Sequence, residues 1–76
     1  MSKKYFEKDL IKIFKKELNI KVNSNSKMYD FVKWDSMGNF NILLAVEKNF
    51  KIKFSSKEFN EIKSFKEILK FVKKKI

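Results

Sequence analysis

The sequence predicts an all-α fold: a small four-helix bundle with a long loop between the first two helices and a short third helix. Three observations predict it. Proline is absent and glycine occurs once, at Gly38, so helix breakers are nearly missing from 76 residues. Apolar residues recur at helical spacing in three separate stretches. The one stretch that alternates like a strand, "FKIKFSS" at 50–56, has no second strand to pair with and reads as an extended connection. The length suits one domain, residues 1–76, near the lower limit for a chain that buries its own core.

Helix one is predicted over residues 3–18, where Phe6, Leu10, Ile13, Phe14 and Leu18 recur on one side and lysines occupy the other. Such a helix can also lie on an anionic membrane, but the stripe is read here as core. Residues 19–34, "NIKVNSNSKMYDFVKW", keep no helical period and contain the polar cluster Asn23-Ser24-Asn25-Ser26. They read as a long loop, of the kind that usually serves function, with Val22, Met28, Phe31 and Trp34 expected to pin it to the core. Helix two is expected over 36–50. Helix three is expected over 56–62, opened by Ser56 with Glu58 and Glu61 in its first turns. Helix four, over 64–76, opens on a capping box of Ser64 and Glu67. Its Phe65, Ile68, Leu69, Val72 and Ile76 share a face, and lysines crowd its carboxyl end.

Helix two carries apolar residues on two sides. At about 100° per residue, Ile42, Leu43, Val46 and Phe50 make one stripe, and Met37, Phe40 and Leu44 make a second roughly 140° away. A helix apolar on more than one side is either buried all round or shows a face to something else. Complete burial is hard to achieve in so small a bundle. The Met37–Phe40–Leu44 stripe is therefore read as a docking surface.

Composition removes whole classes of chemistry. There is no cysteine and no histidine. Disulfides, thiolate metal sites and serine–histidine or cysteine–histidine catalysis are thereby excluded for this chain alone. Carboxylates, lysines, tyrosines and serines remain, and the chain is not expected to be an enzyme. No segment reaches the roughly 20 apolar residues that span a bilayer. The start "MSKKYFEKDL" carries acids and no apolar run, so it is not a signal peptide. A soluble, cytoplasmic monomer is expected.

The net charge of +10 is unevenly placed. Residues 1–33 hold nine lysines against four acids, and residues 51–76 nine against three. Residues 34–50, with Asp35, Glu47 and Lys48, are the only part that is not basic. All nineteen basic residues are lysine, so the bidentate fork of arginine is missing. The abundance of Lys, Asn, Ile and Phe also matches the codon usage of an A/T-rich genome. No specific nucleic-acid partner is expected, although polyanions will attract the chain non-specifically.

Within that non-basic part lies "KWDSMGNF", 33–40. Asp35 or Ser36 caps helix two, because either side chain can accept hydrogen bonds from first-turn amides. A phosphate ester on Ser36 would sit at the positive end of the helix, which favours an anion. Gly38 is expected to leave that serine sterically open. Asp35 can cap while Ser36 points outward.

The stretch "WDSMGNFNILLAVEKNFKIKF" resembles the acyl carrier protein family, whose hallmark is Asp-Ser-Leu opening the second helix of a four-helix bundle. The similarity runs on through "FSSKEFNEI" and "SFKEILKFV" and covers most of the chain. It implies a carrier rather than a catalyst. A phosphopantetheinyl transferase would move 4′-phosphopantetheine from coenzyme A, with magnesium, onto Ser36, beside the motif neighbour Asp35. The arm's thiol would hold an acyl or aminoacyl group as a thioester. Loading ligases and acyl-accepting enzymes would dock on Met37, Phe40, Leu44 and Glu47. An acyl chain could tuck against Ile42, Val46, Phe54, Ile62 and Ile68.

Three departures stand out. Met37 replaces the usual leucine, at nearly equal volume. Met37 followed by Gly38 also resembles D-alanyl carrier proteins, a minor alternative. Family carriers are acidic, whereas this chain has Gly38, Asn41 and Lys48 where acids are common, which implies partners of a specialised biosynthetic pathway. The "W-D-S" start likewise resembles free-standing carriers. The alternative from a different class is a small basic helical module that binds proteins or nucleic acid and carries no prosthetic group.

Overall fold

Four helices form in the order expected. The computed structural model describes the backbone of residues 2–76 and the side chains of residues 6–76. Helix α1 spans Ser2–Leu18, α2 Ser36–Phe50, α3 Ser56–Glu61 and α4 Phe65–Lys75. No strand forms among the described residues. Asn19 closes α1 in the left-handed region (φ 55°), donating its N–H to Lys15 O at 2.9 Å. Lys51 closes α2 likewise at φ 57°, its N–H on Glu47 O. Residues 52–55 then run without helix or strand, as expected.

Two cap expectations are corrected. The N-cap of α3 is Ser55 rather than Ser56. Its Oγ accepts from Glu58 N at 3.1 Å while Ser55 N donates to Glu58 Oε1 at 2.8 Å, a complete capping box. Ser55 wins because Glu58 stands three residues beyond it. At α4, Ser64 caps through Glu67 N at 3.2 Å, but the Glu67 carboxylate reaches past the cap to Lys63 N at 2.8 Å. That box is shifted by one residue. Ile76 lies beyond the last helical residue and is exposed.

The core gathers one stripe from each long helix. Helix α1 packs against both α2 and α4. Leu10 and Phe14 of α1, Ile42, Leu43 and Val46 of α2, and Phe65, Ile68 and Val72 of α4 are completely buried. The α1 stripe is thus core, not a membrane face, and Phe6 packs at its edge. No described helix is long and apolar enough to cross a membrane.

The long loop is less loose than its composition suggests. Val22 and Trp34 are buried, and Met28 and Phe31 are partly buried, as expected. The polar cluster is organised as well: Ser26 Oγ accepts from Asn23 N at 2.9 Å, and Asn23 Oδ1 from Asn25 N at 2.8 Å. Ser26 O then accepts from Phe65 N at 3.0 Å, and Met28 N donates to Lys63 O at 2.8 Å. An antiparallel bridge between Lys27 and Ser64 joins the loop to the α3–α4 junction. Those bonds satisfy loop backbone groups that no helix or strand pairs.

Candidate functional site

The loop and the first turn of α2 meet around Trp34. This indole is fully buried, stacks edge-on against Phe14 with ring centroids 4.5 Å apart, and donates its N–H to Asn39 Oδ1 at 2.9 Å. Asn39 Nδ2 in turn donates to Ile62 O at 2.8 Å. One buried amide therefore ties loop, α2 and the end of α3 together. The sequence reading passed over Asn39. A signal existed: Asn39, Ile42, Leu43 and Val46 follow the i, i+3, i+4, i+7 spacing of a buried face, so this asparagine had to be buried and therefore partnered.

Asp35 takes the capping role. Its backbone is extended (φ −97°, ψ −165°) and its Oδ1 accepts from Gly38 N at 2.9 Å. Ser36 begins the helix beside it and is exposed. The serine is not consumed by capping, so the two roles divide as the sequence allows.

Gly38 has a different role from the one expected. It is buried, and a Cβ built on it would run into the carbonyl oxygen of Lys33. The missing side chain lets the loop backbone press against the helix just before the serine. It does not serve to clear space around Ser36.

Ser36 has one neighbour that the sequence did not suggest. Its Oγ lies 2.9 Å from the phenol oxygen of Tyr29, in an exposed hydrogen bond. Beside this pair opens a hollow of about 570 Å³ between the loop and α3, reaching Asn39, Phe59, Asn60 and Lys63. Phe59 is stacked there between Phe40, at 5.3 Å, and Phe54, at 5.9 Å.

The second stripe of α2 faces outward. Met37 is 69% exposed, Phe40 48% and Leu44 43%. Glu47, expected beside them, is half-buried and binds inward: its Oε2 accepts from Phe54 N at 2.7 Å. The two acids kept near the serine are thus both engaged by backbone amides of this chain. Ile42, Val46, Phe54, Ile62 and Ile68, expected to shelter an acyl chain, are packed shut among themselves and their neighbours. The open space lies one layer outward, beside Ser36.

Among the described residues no group of three His, Cys, Asp or Glu is placed to hold a metal ion. No family model and no curated sequence matches the chain. Among solved structures, an acyl carrier protein from Thermotoga maritima superposes with a TM-score of 0.80 at 18% identity, covering 99% of this chain and 91% of that one. The two chains share a fold, the acyl-carrier-protein type of four-helix bundle.

Proposed function

We propose that this chain is a carrier that bears 4′-phosphopantetheine on Ser36 and presents an acyl or aminoacyl cargo to partner enzymes. The observation that carries this reading is the exposed Ser36 hydroxyl at the first turn of α2, left available because Asp35 does the capping, in a chain with the acyl-carrier-protein fold. The surroundings fit the group. A helix amino terminus favours the phosphodiester charge, Tyr29 and Lys63 offer hydrogen-bond donors, and the neighbouring hollow is open enough for the proximal part of an arm.

In the loading reaction Ser36 Oγ attacks the phosphorus of coenzyme A that bears the pantetheine. The new Oγ–P bond replaces the P–O bond to 3′,5′-ADP, and the hydroxyl proton passes to a base of the transferase. When bound, the group supplies the terminal thiol that a cysteine-free chain lacks, to hold cargo as a thioester. The protein's own part is attachment, orientation and docking, so no catalytic residue is assigned. Met37, Phe40 and Leu44 form the docking face, with Glu47 at its far end. Because Asp35 and Glu47 are held by Gly38 N and Phe54 N, docking relies on apolar contact more than on carboxylates. Partners therefore belong to a specialised pathway.

Incubation with a broad-specificity phosphopantetheinyl transferase, coenzyme A and magnesium tests the reading. Intact-mass measurement should show the gain of one phosphopantetheine, and Ser36→Ala should abolish it with an unchanged helical circular-dichroism spectrum. A wild type left unmodified by several such transferases would favour an interaction module that uses the same exposed stripe and carries no arm.

A further inference from the structure

Tyr29 is an anomaly in its loop. A bulky side chain with φ 77° occupies backbone space that residues other than glycine rarely adopt. The conformation is imposed from both sides: Tyr29 N donates to Trp34 O at 2.7 Å, and Asp30 N donates to Lys27 O at 3.0 Å. Burial does not explain it, because the side chain is 67% exposed. What the conformation achieves is to stand the phenol oxygen on Ser36 Oγ.

Two surfaces lead away from Ser36, and Tyr29 borders both. One is the hollow that runs toward Phe59 and Lys63. The other is a shallow apolar face formed with Asp35, Met37 and Phe40. The first offers a phosphate a lysine, the second a carboxylate. An attached phosphodiester, carrying one negative charge, is attracted along the first and repelled along the second.

Esterification also changes what the phenol can bond. Before it, either hydroxyl can donate to the other. Afterwards Oγ has lost its proton and most of its basicity to phosphorus, while the non-bridging oxygens carry the charge. The phenol must then donate, and the stronger acceptor is one bond further out. Resting on the carrier reading above, we propose that Tyr29 is a positioning residue for the prosthetic arm: its hydroxyl passes from Ser36 Oγ to a non-bridging phosphate oxygen, and so turns the arm into the hollow beside Phe59 and Lys63, away from the Met37 stripe. That stripe is thereby left clear for partner enzymes while the arm is at rest.

The experiment is nuclear magnetic resonance on the chain loaded from coenzyme A. In the wild type, nuclear Overhauser contacts should run from the pantoyl methyl protons to Phe59 and Lys63 and not to Met37. Tyr29→Phe keeps the ring and removes only the hydroxyl. It should still gain the arm, show a moved phosphorus resonance and lose most of those contacts. A phosphorus resonance and contact pattern identical to wild type in Tyr29→Phe overturns the proposal, as do wild-type contacts to Met37. The wild-type contacts decide the matter even if the variant folds poorly. Absence of any mass gain on the wild type is a different failure, one that removes the carrier reading itself.

Discussion

Helix α4 and the loop that precedes α2 are both essential to the bundle, but they hold it by different means. In α4 a repeated pattern does the work: Phe65, Ile68 and Val72 are buried, and each contributes through contact area that a similar side chain would largely reproduce. The loop from residue 19 to Asp35, together with the first turn of α2 that it meets, works through single atoms. One indole N–H, one amide of Asn39, one missing Cβ at Gly38 and one carboxylate oxygen of Asp35 fix where Ser36 stands. Area is divisible and forgiving, whereas a hydrogen bond to a buried group is present or lost. On the carrier reading proposed above, the second manner suits Ser36, because a hydroxyl that is to be modified needs a defined position, not just a stable background.

Paired substitutions in the two regions break this contrast most directly. Asn39→Leu leaves Trp34 Nε1 and Ile62 O buried without partners, for a loss of roughly 3 kcal/mol at 1–3 per stranded group. Ile68→Val, which trims a fully buried α4 side chain, should cost only about 1 kcal/mol. Urea denaturation of the two variants measures the gap. Equal losses would mean that the loop, too, is held mainly by area.

Gly38→Ala gives the next largest effect, and its sign carries the information. In an exposed helix the change stabilises by roughly 1 kcal/mol. Here the new methyl meets Lys33 O, and a net loss of about 2 kcal/mol is expected from overpacking. Thermal unfolding monitored by circular dichroism would show it, and on the carrier reading proposed above Ser36 should also be modified more slowly in the transferase assay. A stabilised variant would show that the loop backbone can retreat freely from α2.

The smallest effect lies at the surface where α3 meets α4. Lys75 Nζ sits 3.1 Å from Glu58 Oε1. The Ser55 backbone N–H first, and Lys75 second, hold the Glu58 carboxyl below its ordinary pKa. A lowered folded-state pKa stabilises above the unfolded value and fades as pH falls through the folded one. Glu58→Gln should therefore lower the melting temperature slightly at neutral pH, and the difference should close in acid below the usual glutamate range. A difference independent of pH would assign the effect to the cap geometry alone.

How legible each part was follows from the same contrast. Helical spacing placed α1, α2 and α4 to within a residue or two, because period reports on area. The Met37–Phe40–Leu44 stripe was legible for the same reason. Adjacent serines at 55 and 56 made the α3 cap ambiguous until Glu58 was counted three residues back. Asn39 was hidden by its type, a polar residue in an apolar run, though its position matched the buried face. The approach of Lys33 O to Gly38, and that of Tyr29 to Ser36, depend on how a loop without period folds back. Neither is encoded in any spacing.

The chain has a single tryptophan, and it stands two residues before Ser36 with its ring in the core and its N–H on Asn39. Nature has thus placed an intrinsic fluorophore at the seat of the site. Its emission reports the seating of the loop separately from the helix content, so that loosening of the serine's platform can be watched by light in an unlabelled sample, even while the rest of the bundle stays intact.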